Sequence, residues 1–85
     1  MQQIIKNSIE WSETESRLRK CIRGLTHERD IIKLINNLRI TVTELSKAEV
    51  EARRGRSANT ISLLVKVNQD IEIVEEYILV AALIG

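Results

Sequence analysis

The strictest pattern in the sequence is a set of residues in the middle of the chain that recur at alternating intervals of four and three. The set begins at Ile31 and is apolar at every position except Glu49. This spacing places the side chains along one face of an α-helix, as in helices that pack against a second helix. The members are Ile31, Ile35, Leu38, Val42, Leu45, Glu49 and Ala52.

A shorter apolar stripe precedes this set, and it consists of Leu18, Ile22 and Leu25. The two stripes differ in register by one residue, and the slip falls near Gly24. Two interpretations fit this slip. Gly24 ends a first helix and Thr26 caps a second, or one long helix continues with a kink or a loosened turn. We favour the long helix, since the chain contains no proline.

The pattern also predicts where this helix begins and ends. Residues 1–8 are weakly patterned, so we expect them to be frayed. Ser12 and Glu15 have the spacing of a capping box, which predicts a helix from about residue 11. Arginines followed by Gly55 are typical of a helix C-terminus, so this helix should span about 11–54.

A second helix is predicted over about 58–83, with Ser57 or Asn59 as its cap. The short hinge before it implies that the two helices pack antiparallel. The β-branched residues between 61 and 73 leave a β-hairpin open as an alternative. In the helical interpretation the inner stripe consists of Leu64, Val67, Ile71, Val74, Ile78 and Ala81.

The end of this helix carries more apolar surface than one neighbouring helix can cover. Residues 77–84 are all apolar except for the tyrosine hydroxyl, and they follow a polar face that stops at Glu76. An all-apolar helix end needs neighbours on more than one side. We therefore predict a protein-binding surface that consists of Ile73, Tyr77, Val80, Leu83 and Ile84.

Length and composition restrict the fold to one small domain. The 85 residues contain no phenylalanine, one tryptophan and one tyrosine. Such a small core gains stability from self-association or a partner. Residues 61–85 carry one lysine against four carboxylates, whereas residues 1–60 carry twelve bases and eight acids, a difference that favours antiparallel packing. The expected fold is an all-α antiparallel hairpin that is oligomeric or partner-bound.

Catalytic chemistry is not expected, because the residues that it requires are sparse. His27 and Cys21 are each the single residue of their type, so no metal site of three or four ligands is predicted. Cys21 adjoins an apolar stripe and is expected to be a buried thiol. We predict a protein that is not an enzyme and has no cofactor. No signal peptide and no transmembrane segment are evident, which suits a cytoplasmic location.

Two other function classes stay open. Basic residues cluster at 17–23 and at 53–56, as in a small regulator that binds nucleic acid, although acids are interleaved with them. Nucleic-acid binding of this kind would weaken steeply with salt. The stripes also fit a homo-oligomeric coiled-coil protein with no other partner.

The second helix resembles that of the small co-chaperones of type III secretion needle subunits. The resemblance lies in a helix that opens polar at residues 57–64 and becomes apolar at residues 71–74. It implies a short cytoplasmic helical hairpin that acts without catalysis. With a larger helical-repeat partner, such a hairpin would keep an aggregation-prone needle subunit in solution before export.

Overall fold

The computed structural model describes residues 5–52 and 57–84. Helices dominate these residues and none of them lies in a strand, which confirms the all-α fold class. The β-hairpin alternative is wrong, since one continuous helix spans the segment in question. The elements are a single 3-10 turn at Ser8–Glu10, α1 at Trp11–Cys21, α2 at Glu28–Ala52 and α3 at Ala58–Ile84.

The two long helices form the antiparallel hairpin that the apolar spacing predicts. Ile31 near the start of α2 and Ala81 near the end of α3 line the same depression, whereas Thr41 lies near Lys66. The most deeply buried side chains, Ile35 and Leu45 among them, come from the predicted stripes. Burying each such side chain contributes about 1.5–3 kcal/mol, which makes this seam the main source of stability. Its buried members are Ile31, Ile35, Leu38, Val42, Leu45, Ala48, Leu64, Val67, Ile71, Val74 and Ala81.

The favoured continuous first helix is wrong, because the chain reverses direction between α1 and α2. Gly24 has a φ of 77° and His27 a φ of 66°, two left-handed residues that a helix cannot contain. The His27 carbonyl accepts from the backbone N–H groups of Asp30 (3.0 Å) and Ile31 (3.1 Å), and these bonds open α2. The alternative split at Gly24 is therefore the observed one, although His27 rather than Thr26 precedes α2.

The segment before α1 is packed, contrary to the expected fraying. The Ile5 side chain is buried, and its backbone N–H donates to Asn68 Oδ1 (2.9 Å) while Asn68 Nδ2 donates back to the Ile5 carbonyl (3.0 Å). Ser8 donates to Glu49 from its backbone N–H (3.0 Å) and from its hydroxyl. Glu49 interrupts the apolar stripe because it holds this segment. Residues 1–4 of the expected frayed segment lie outside the described residues.

The N-terminus of α1 differs from the sequence prediction, whereas the cap of α3 agrees with it. The proposed capping box is wrong: α1 begins at Trp11, with Ser12 inside it, and Asn7 caps the preceding 3-10 turn. At α3, the Ser57 hydroxyl accepts from the Thr60 backbone N–H at 3.2 Å, which confirms Ser57 as the cap. Of the predicted hinge at 54–57, residues 54–56 lie outside the described residues.

Candidate protein-binding groove

Helix α1 covers one side of the α2–α3 hairpin and leaves the other side open. On the covered side, Arg19 of α1 contacts Asn36 of α2 at 3.0 Å. Arg17 of α1 pairs with Glu75 of α3 at 3.3 Å. Glu15 of α1 also lies 3.7 Å from Arg39 of α2, so α1 runs antiparallel to α2 and hence parallel to α3. Side chains at 34, 37 and 41 of α2 and at 73, 77 and 80 of α3 lie on the opposite side, since each residue turns a helix by about 100°.

The open side is a groove between α2 and α3. It consists of two adjoining depressions with volumes of about 250 and 320 Å³, and Leu34 lines both. The first is partly polar, and the second, near the end of α3, is mainly apolar. The first is lined by Leu34, Asn37, Leu38, Thr41, Lys66, Asp70, Ile73 and Val74, and the second by His27, Asp30, Ile31, Leu34, Tyr77, Val80, Ala81 and Ile84.

Four of the five residues predicted for protein binding lie together in this groove. Their exposed fractions are 46% for Ile73, 56% for Tyr77, 51% for Val80 and 72% for Ile84. They recur at intervals of four, three and four, so they form a second seam on the flank of α3. Leu83 is 79% exposed but does not line the groove, because its position turns it to the back of the helix.

The neighbouring residues of the same apolar run belong to the inner seam. Ala81 is buried, and Ile78 is partly buried against the core. Both positions confirm the prediction that the terminal run divides into a covered stripe and an uncovered one. The division explains how α3 is stable within one chain while leaving an apolar flank in contact with solvent.

The wall that α2 contributes was missed by sequence reasoning. Leu34 lies beside the α2 seam rather than on it and is only partly buried. The sequence signal for this wall was that Leu34 is apolar and directly precedes Ile35, a buried residue of the seam. Asp30 and His27 complete this wall in the second depression, which therefore has polar groups where α2 begins and apolar groups along the end of α3.

The other candidate sites in the described residues give less evidence of a function than the groove does. No group of three potential metal ligands lies together there. Cys21 is exposed, which corrects the expectation of a buried thiol. Part of the first basic cluster is engaged by carboxylates, since Glu15 contacts Arg19 at 3.1 Å and Glu75 contacts Arg17 at 3.3 Å.

Among the described residues, no helix is both long enough and apolar enough to cross a membrane.

Comparisons of the chain with protein-family models, with curated proteins and with solved structures found no match.

Proposed function

We propose that this protein is a non-catalytic interaction module whose groove between α2 and α3 binds an amphipathic α-helix of another polypeptide chain. The observation that carries the proposal is the seam of Ile73, Tyr77, Val80 and Ile84, which is exposed on one wall of an open groove. Large exposed apolar side chains are common singly, but a contiguous set in a concave surface is typical of a protein-binding site.

The groove defines the chemistry of its occupant. Helices that bind in grooves present apolar anchors at positions such as i, i+4 and i+7, which match the spacing of the seam. Polar groups at Lys66 and Asp70 continue the seam toward the start of α3. An occupant helix would therefore be apolar where it contacts Val80 and polar where it contacts Lys66.

The more specific proposal is a cytoplasmic co-chaperone that stabilises a type III secretion needle subunit before export. Its support is the resemblance of α3 to the second helix of such co-chaperones, together with the exposed flank of that helix. Affinity would come from burying the apolar seam, and the charged rims would set orientation. No reaction is needed for this activity.

Site-specific photocrosslinking tests the binding module directly. A benzophenone amino acid replaces Val80 in the groove or, as the matched control, Ile40, which is 62% exposed and does not line the groove. In the cells that express the protein, we expect a discrete crosslinked partner from position 80 and none from position 40. Equal crosslinking from both positions, or none from position 80, would contradict the proposal.

Co-expression tests the co-chaperone proposal. The chain is produced together with a needle subunit and its helical-repeat partner, and the fraction of needle subunit that stays in solution is measured. We expect the wild-type chain to keep the subunit soluble and the Tyr77→Asp/Val80→Asp variant to lose this effect with its helicity retained. An Ile40→Asp/Val50→Asp variant is the control, since both of those side chains are exposed elsewhere. A subunit that aggregates with the wild-type chain would refute the co-chaperone role alone.

A further inference from the structure

We propose that the helix bound in the groove carries two basic residues about three helical turns apart, with its apolar anchors between them. The proposal rests on the proposed function and deepens it, because it names the chemistry of the partner for the same groove. Its support is the set of charged side chains that line the groove among the apolar ones.

Each depression of the groove contains one carboxylate. Asp30 is the acid of the second depression; its side chain is 73% exposed, and His27 Nδ1 lies 3.7 Å from its Oδ2. Asp70 is the acid of the first depression, which it lines together with Ile73, and it is partly buried there. In the described part of the chain, neither carboxylate forms an ion pair with a lysine or an arginine.

These two carboxylates restrict what can cover the groove. A helix with an entirely apolar face would remove Asp30 and Asp70 from water without giving either a partner, which is strongly unfavourable. A lysine or arginine of the bound helix at each position offsets this loss through a charge-assisted hydrogen bond. The groove therefore favours a helix that is apolar in its middle and basic on both sides of the apolar stretch.

The structure also gives the spacing of the two basic residues. Asp30 lines the same depression as Ala81, whereas Asp70 is itself a residue of α3. Positions 70 and 81 are eleven residues apart on α3, which corresponds to about 16 Å along the helix axis. The bound helix therefore needs basic residues about eleven positions apart on one face, with apolar residues at the three-four positions between them.

Lys66 makes the two ends of the groove different. It lines the first depression one helical turn before Asp70, and no carboxylate pairs with it among the residues that the structure describes. An acidic residue of the bound helix, one turn outside its basic residue, would pair with Lys66. Such a residue at one end only would fix the orientation of the bound helix.

A second copy of α3 does not meet these requirements. Between residues 66 and 84, α3 carries one lysine and four carboxylates. It therefore presents a single cation where the groove requires two, and its remaining charges would add to the acids of the groove. The charges that line the groove thus favour a basic amphipathic helix of a different protein.

Two designed helical peptides test the proposal by fluorescence anisotropy with the full chain. Both present the same leucines at three-four positions, and they carry either lysine or glutamate at the two positions, eleven residues apart, that flank the leucines. We expect the lysine peptide to bind about tenfold more tightly than the glutamate peptide. This preference should shrink at high salt, because exposed ion pairs are screened.

Variants of the groove acids locate the origin of the preference. Asp30→Asn/Asp70→Asn keeps the size of both side chains and should remove the preference, whereas Asp30→Lys/Asp70→Lys should reverse it. Glu13→Lys/Glu76→Lys is the control for net charge, since both residues are exposed and neither lines the groove. The control should retain most of the preference, and circular dichroism checks that each variant keeps its helicity.

The outcomes separate this proposal from the proposed function. A preference for the lysine peptide that depends on Asp30 and Asp70 supports it. Equal binding of the two peptides, tighter binding of the glutamate peptide, or binding of neither overturns it, and so does crosslinking from position 80 to a second copy alone. Crosslinking from position 80 to a different protein would leave the binding-module proposal standing even then, because that experiment does not depend on the charge of the partner.

Discussion

The two sides of the α2–α3 hairpin are covered in different ways. On one side, α1 buries Trp11 and Leu18 and adds the partly buried pair of Arg17 and Glu75. On the other side, the described residues leave the seam that includes Tyr77 and Val80 exposed. The more apolar flank of α3 is therefore the one left open, which is the reverse of what the stability of a single chain would favour.

Packing α1 on the first side of the hairpin buries polar atoms without partners, which lowers the stability of the fold. In the described residues, Arg17 Nε and Nη2, Glu75 Oε1 and Trp11 Nε1 are buried without a hydrogen-bond partner. A buried polar atom left unpaired typically costs about 1–3 kcal/mol. The open groove has no comparable penalty on its apolar wall. The covered side therefore combines buried apolar side chains with unpaired polar atoms, whereas the open side leaves apolar side chains exposed.

The largest expected difference between the two sides is in folding stability. Leu18 on the inner face of α1 is 1% exposed, so Leu18→Ala should lower the free energy of unfolding by about 2–5 kcal/mol. Val80→Ala in the groove should change it by less than about 0.5 kcal/mol in the monomer. Urea denaturation at a concentration that keeps the chain monomeric measures both. Similar losses for the two variants would contradict the difference between the sides.

The pair of Arg17 and Glu75 provides a smaller test of the covered side. Arg17→Met leaves the Glu75 carboxylate without its cation and should cost about 1–2 kcal/mol. Arg17→Met/Glu75→Met removes both polar groups, so its cost should be smaller than that of the single variant. Thermal unfolding of the two variants checks this order. A double variant less stable than the single one would contradict this account, because the Glu75 carboxylate would then stabilise the fold even without Arg17.

The smallest effect concerns the turn that directs α1 to its side of the hairpin. Gly24 has a φ of 77°, and a side chain added there would meet no atom within 4 Å. The cost of Gly24→Ala is then set by the left-handed backbone and should be about 1 kcal/mol. Gly24→Asn is the matched control and should cost less, since asparagine tolerates this conformation. Equal stability of both variants and the wild type would mean that the turn is not restrictive.

The long helices could be predicted because each carries a sustained three-four spacing. Positions such as Ile35 and Ile71 follow directly from that spacing, and so does the division of α3 into a buried and an exposed seam. The break between α1 and α2 was harder to predict. Because the chain contains no proline, a single glycine and a register slip of one residue fit a kinked helix as well as a reversal of the chain. The second left-handed residue is His27, and a histidine does not by itself predict that conformation.

The packing of the amino-terminal segment could not be predicted from the local pattern of apolar and polar residues. It depends on contacts between residues distant in sequence, namely Ile5 with Asn68 and Ser8 with Glu49. In the sequence, Asn68 looks like an ordinary surface residue and Glu49 only interrupts an apolar stripe, and their roles arise when the chain folds back. Groove residues on α2 were missed for a similar reason, since Leu34 gains its role only when α3 lies beside it.

The central claim is that another helix covers the open groove, and the exposure of methyl groups tests it most directly. A soluble nitroxide added to the methyl-labelled protein broadens the NMR signals of exposed methyl groups. In the dilute monomer, Ile73, Val80 and Ile84 should broaden as strongly as Ile40 and Val50. In the assembled protein, the three groove residues should become protected while the two control residues stay exposed. Groove methyl groups that remain accessible after assembly, or protection at Ile40 and Val50 instead, would contradict the account.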